Sequence, residues 1–227
     1  MARRLLGAAL LLALARPGHA LDTVSCPAHP LATFDGAPAT TKSWQAVNDP
    51  VMGGQSHSEL ITDKSRGVAE WHGEVKIVPF LKAPGFCNIQ APPLYHTDSF
   101  SDCKGTQGLL INARRTNSSG LSHFRAMLGT KGAKRFFRVG QYISDFSFAQ
   151  PESVWEEFFL PWSSFHCEWR GTNVTWCPEL ETQLSLINSI GLGTYYPLKT
   201  PGPFAIELRS VAAGCKSGSA ATTDIQV

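Results

Sequence analysis

The chain has 227 residues, 43% of them hydrophobic, with 20 Lys+Arg against 18 Asp+Glu. That is enough apolar material for one domain with a sizeable core, and the near-neutral balance argues against a nucleic-acid partner or an acidic membrane surface recognised through bulk charge. Six cysteines without any C-x-x-C or zinc-type Cys/His spacing argue against a metal or redox centre, so no metal and no cofactor is expected.

In chain order, residues 1–20 read as a signal peptide. Arg3 and Arg4 form a basic n-region, Leu5 to Ala15 is an unbroken apolar run, and Gly18-His19-Ala20 supplies a small-x-small cleavage site. The run is shorter than the ~20 residues of a membrane span, so no membrane span is expected. Loss of Arg3, Arg4 and Arg16 leaves 17 basic against 18 acidic residues, a balance of minus one. Secretion or a secretory-pathway lumen is the expected destination. A mitochondrial presequence, or a plastid leader continued by the Ala/Pro/Thr-rich stretch after Ala20, is the alternative.

Residues 21–43 lack periodicity and read as an extended lead-in. From Trp44 to Cys215, short apolar runs separated by Gly, Pro, Asn and Ser predict an all-β domain of about residues 44–215, with a flexible tail at 216–227. Predicted strands fall at Gly73–Pro79, Gly108–Arg114, His123–Leu128, Arg135–Tyr142 and Val154–Leu160. Near the end, Phe204, Ile206 and Leu208 alternate with Ala205, Glu207 and Arg209 as a half-buried strand. One short helix is expected over Glu179–Asn188, where Leu180, Leu184 and Ile187 recur at helical spacing behind Pro178.

Cysteine parity behind a signal peptide predicts disulfides. Cys167–Cys177 would close a hairpin, Cys87–Cys103 would close a loop, and Cys26–Cys215 would tie the termini. Asn117-Ser-Ser and Asn173-Val-Thr are glycosylation acceptors that agree with secretion.

The stretch Trp44-Gln-Ala-Val47-Asn48-Asp49-Pro50-Val51-Met52-Gly53-Gly54-Gln55-Ser56-His57-Ser58 is the most distinctive. Asn48 and Asp49 can bond their own backbone, Pro50 fixes φ, and Gly53 and Gly54 permit positive φ or close approach. Met52 offers an adaptable apolar contact, and Ser56 and Ser58 add hydroxyls. Two readings follow: a rigid polar loop that recognises a partner, or a buried turn with Trp44 in the core.

Trp155, Trp162, Trp169 and Trp176 crowd one third of the chain. Most such rings fill cores, but Trp169 and Trp176 fall inside the expected Cys167–Cys177 loop and are candidates for stacking on sugar. No catalytic motif is complete. Gly54-Gln-Ser56-His-Ser58 lacks the last glycine of a nucleophile elbow, and Gly191-Leu-Gly193 is a fragment of a dinucleotide fingerprint that opens no helix. A non-enzymatic role is therefore expected.

The Trp44–Ser58 pattern resembles the signature of the complex I intermediate-associated protein family, at Trp44, Val47, Asn48, Asp49, Val51, Met52, Gly53, Gly54 and Ser56. Gly73-Glu-Val75 with Gly85-Phe86, Gly108–Ile111, Trp155–Phe165, Ile187–Gly193 and Gly202–Leu208 are also similar to that family, so the likeness spans about Trp44 to Val211. The resemblance implies a jelly-roll β-sandwich similar to galactose-binding-like domains, and an assembly or scaffolding role without catalytic residues. The expected function is a binding domain that recognises a protein partner through the Asn48–Ser58 loop. Carbohydrate binding is one alternative. Mitochondrial complex I assembly is the other, if the leader is a presequence.

Overall fold

The computed structural model describes residues 26, 28–49, 53–94, 96, 98–116, 119–194 and 200–216. The expected signal peptide, Met52, Asn117 and nearly all of the 216–227 tail lie outside the described residues. Two antiparallel sheets form a jelly-roll sandwich. The six-stranded sheet runs β13 (Glu156–Pro161), β8 (Gly108–Arg115), β17 (Gly202–Gly214), β4 (Val68–Val75) and β3 (His57–Asp63), with β1 (His29–Thr33) paired to the second half of β17. The seven-stranded sheet runs β15 (Thr172–Asn173), β14 (His166–Trp169), β12 (Gln141–Ser147), β9 (His123–Thr130), β16 (Ile187–Thr194), β7 (Cys87–Ala91) and β2 (Gln45–Asn48). Two small ribbons stand apart: β5 (Ile77–Val78) with β6 (Ala83–Pro84), and β10 (Lys134–Arg135) with β11 (Arg138–Val139).

Alternation sets the core. Leu109, Ile111 and Ala113 point inward from β8, and Phe124, Ala126 and Leu128 point inward from β9. Trp71 on β4 is fully buried, with Phe124 and Phe204 against it at 5.9 and 4.8 Å between centroids in edge-to-face contact, the favoured aromatic geometry. On β17 the expected alternation holds through Phe204, Ile206 and Leu208. A bulge between Leu208 and Ser210 then resets the phase, so that Val211 and Ala213 face inward.

Three segments depart from expectation. Ala205 and Glu207 are buried rather than solvated, because β17 is central and its outer face is covered: Arg66 and Arg114 both bridge Glu207. The lead-in is not wholly featureless, since Leu31, Ala32 and Phe34 enter the core beside β17. The expected helix is a single 3-10 turn at Leu180–Gln183, and Ile187 already opens β16. Leu180, Leu184 and Ile187 are all buried, so a turn followed by a strand satisfies the same apolar positions as a helix would. Likewise Arg135–Tyr142 is not one strand but a hairpin followed by the start of β12.

Disulfides join Cys26 to Cys215 and Cys167 to Cys177, with Cα separations of 6.0 and 6.3 Å. The expected Cys87–Cys103 bond is not formed, and both residues are buried free thiols. Position explains it. Cys87 sits where β17 begins, its thiol directed at the carbonyls of His57 and Glu74. Cys103 sits where β17 ends, its amide bonded to Leu184 and its thiol to the Ser101 carbonyl. Opposite ends of a thirteen-residue strand are far outside the 4.4–6.8 Å Cα range, roughly, that a disulfide spans. Burial pushes the thiol of Cys87 up to about 12 and that of Cys103 to about 11, which leaves both unreactive as nucleophiles.

Candidate functional site

The Asn48–Ser58 segment connects the edge strand β2 of one sheet to the edge strand β3 of the other. Its polar groups turn inward. Asp49 is 3% exposed, and its carboxylate accepts the Ser56 amide at 3.1 Å and the Ser56 hydroxyl at 3.0 Å. The Ser56 hydroxyl in turn accepts the Lys76 amide at 3.0 Å, and Ser58 donates to Asn48 Oδ1 at 2.8 Å. Among the described residues Asp49 forms no ion pair, so these hydrogen bonds carry its solvation.

The glycines make room for that carboxylate. A Cβ on Gly54 would lie 2.2 Å from Asp49 Cγ, and one on Gly85 would lie 1.3 Å from Asp49 Oδ2. Gly53 is the residue with positive φ, +71°. Gly54 is therefore required for close approach and not for the sign of its φ. Trp44 is half-buried against Phe34, at 5.9 Å between rings. Gly53, Gln55 and His57 form the outward side of the turn.

Trp169 and Trp176 do not share a surface groove with it. Trp169 is half-buried, with the guanidinium groups of Arg138 and Arg170 over its ring at 4.7 and 5.0 Å. Trp176 packs beside Gly140 next to the Cys167–Cys177 bond. Asn173 is exposed on β15, across from Glu168. A cleft of about 470 Å³ next to the same disulfide is lined by Tyr142, Trp162, Phe165, Val174, Pro178 and Leu180. Its Tyr142 hydroxyl and Trp162 indole donate to the Pro178 and Thr106 carbonyls, while Ser163, Glu179 and Glu181 add polar groups to the lining.

A second polar surface was not singled out in the sequence. It is the outer face of the seven-stranded sheet. Registers place His166, Ile143, Met127, Gly191, Gln90 and Gln45 in one row across it, and Asp145, Arg125, Gly193 and Asn88 in the next. Arg125 is the hub: it pairs with Asp145 and Glu168, each at 3.3 Å, and Glu168 also meets His166 at 2.9 Å. Arg125 and Glu168 are only 11% and 12% exposed although they point away from the core. Burial pushes the Asp145 carboxyl above its ordinary value, with Arg125 pulling against that. Side chains lean over the two glycines of β16: Met127 Cε would be 2.9 Å from a Cβ on Gly191, and Asn88 Oδ1 would be 2.4 Å from one on Gly193. The sequence signal was the Gly191-Leu-Gly193 spacing itself, which in a strand strips side chains from one face.

The sequence profile of the Complex I intermediate-associated protein 30 family matches residues 33–208. The chain belongs to this family. In this chain the Asn48–Ser58 turn is a joint between the two sheets, with the Asp49 carboxylate directed inward. No curated protein sequence is significantly similar. Among solved structures, a family 11 carbohydrate-binding module from Clostridium thermocellum in complex with a β-1,3-1,4-mixed-linked tetrasaccharide superposes with a TM-score of 0.52 at 15% identity. The match covers 83% of this chain and 95% of that one. The family 11 module of the C. thermocellum cellulosomal cellulase Lic26A-Cel5E gives the same TM-score and identity over 85% and 98%. These likenesses establish that the intermediate-associated fold is shared with carbohydrate-binding modules. A Bacillus licheniformis β-glucanase aligns at a TM-score of only 0.33, too low to bear on chemistry.

Proposed function

We propose that the chain is a non-catalytic binding domain of the secretory pathway that takes a carbohydrate on the outer face of its seven-stranded sheet. The observation that carries this is the Arg125 hub, a preorganised set of guanidinium, carboxylate and amide groups held nearly buried on a face turned away from the core. Asn88, Gln90 and Gln45 continue the polar rows across the β16 glycines. Such groups match the vicinal hydroxyls of a sugar, and specificity would come from hydrogen bonds rather than ring stacking. Asp145 and Glu168 are committed to Arg125 and His166 and do not stand as a free acid/base pair. Two disulfides agree with an oxidising compartment, as do the leader and the exposed Asn173.

Titration calorimetry of the folded protein against soluble oligosaccharides, mixed-linked β-glucan among them, tests the assignment. Binding that Asn88→Ala together with Arg125→Ala weakens at least about tenfold is the expected outcome. Absence of binding across the panel, or binding indifferent to those substitutions, would refute it. A protein partner is the second reading, favoured by the outward Gln55 and His57 of the turn that marks the family. His57→Ala with Gln55→Ala would weaken that association and leave sugar binding intact.

A further inference from the structure

The ribbon β10–β11 is a further surface with no assigned role. Its two-residue loop is Phe136-Phe137, whose rings are 93% and 84% exposed, and Val139 beside them is 54% exposed. Phe136 holds φ +56°, a left-handed position that a bulky residue adopts at a cost and that glycine would fill freely. Neither the fold nor the turn explains these two rings.

Cations surround them. Lys131, Lys134, Arg135, Arg138 and Arg170 are all exposed, and none forms an ion pair among the described residues. The near-neutral balance of the whole chain conceals this local concentration. Arg138 lies 5.8 Å from the Phe137 ring and also covers Trp169. The base of the ribbon is fixed: Gly140 donates to the Ala133 carbonyl at 2.9 Å, and a Cβ on Gly140 would lie 2.6 Å from the sulfurs of both Cys167 and Cys177.

We propose that this ribbon is a docking tip for an anionic phospholipid surface. Apolar rings at a protruding end, with a collar of unpaired cations behind them, suit a soft phase that has phosphates at its edge and hydrocarbon below. A protein partner would need a ready-made acidic cavity for two adjacent phenyl rings. Each Lys or Arg brought to such a surface contributes about fivefold in affinity, and added salt weakens the contribution. The tip is distinct from the sheet face proposed for carbohydrate, and the two assignments stand or fall separately.

Co-sedimentation of the folded protein with vesicles decides it, using phosphatidylcholine containing about one third phosphatidylserine beside pure phosphatidylcholine. Binding to the anionic vesicles alone is expected. Phe136→Gly with Phe137→Ser should weaken it about tenfold or more, and Lys134→Glu with Arg135→Glu at least about 25-fold. Glycine relieves the strained φ, so the first variant keeps its melting temperature and the loss is not one of folding. No binding to the phosphatidylserine vesicles, equal binding to the neutral ones, or indifference to the phenylalanine substitutions overturns the proposal. Binding to soluble heparin as tight as to vesicles, and unaffected by loss of the rings, overturns it too and points to an acidic polymer.

Discussion

Two loops of this molecule solve opposite problems. The Asn48–Ser58 turn folds a carboxylate into the protein and spends its distinctive residues on hydrogen-bonding and accommodating it. The Lys134–Val139 ribbon turns everything outward, rings and cations alike, and has no internal partner for its most costly residue, Phe136. The first is what makes the sequence identifiable, and the second reads only as part of a predicted strand, Arg135–Tyr142. A residue pattern that geometry dictates tolerates few alternatives, whereas a surface that serves a partner leaves no such internal constraint.

The largest test of that contrast is Gly85→Val. The added side chain would occupy the space of the Asp49 carboxylate, so a loss of about 4 kcal/mol or failure to fold is expected in denaturant unfolding. Asp49→Ala should cost about 3 kcal/mol by leaving the Ser56 amide and hydroxyl without their acceptor. Normal stability in either variant would mean that the turn is not the joint described here. Next comes the Cys26–Cys215 bond, which closes a loop of 189 residues. Its replacement by serines should lower stability by about 4 kcal/mol, read as a drop in melting temperature.

Acid titration reaches a third region. Burial raises the Glu207 carboxyl, but hydrogen bonds from Arg66 and Arg114 outweigh it and hold the group below its ordinary 4.5. A depressed carboxyl contributes stability that is fully present above the unfolded value and lost as pH falls through the folded one. Stability should therefore decline below about pH 4.5, and Glu207→Gln should flatten that limb of the curve. A variant with an unaltered acid limb would remove Glu207 from the account. Thiol titration sharpens the comparison without a mutation: the native protein should not react with a disulfide reagent at pH 8, and two thiols should appear on unfolding. The smallest effect sits in the ribbon, where Phe136→Gly alone should stabilise by up to about 1 kcal/mol.

Much of the architecture was legible from local pattern. Period-two alternation located β13 and β17, short apolar runs between turn residues located β8 and β9, and the turn signature identified the family before any contact was known. The signature also named Asp49, Ser56 and Gly54 together, and both surviving disulfides followed from cysteine positions. What sequence could not decide was direction. Whether Asp49 faced a partner or the protein depended on Gly85, some 36 residues away in a separate stretch of the chain.

The same holds for the other misreadings. Leu180, Leu184 and Ile187 need burial, and burial alone does not choose between a helix and a turn followed by a strand. Cys87 and Cys103 are near in sequence and lie at opposite ends of β17, because the chain between them runs along the sandwich. Arg125, Asp145, Glu168 and Asn88 come from four strands that become neighbours only through sheet order. Local chemistry fixed which residues sit in strands, in turns and in the core, since those preferences act over a few residues. Pairing between distant strands decided which polar groups meet, because that is set by the closing of the whole sandwich.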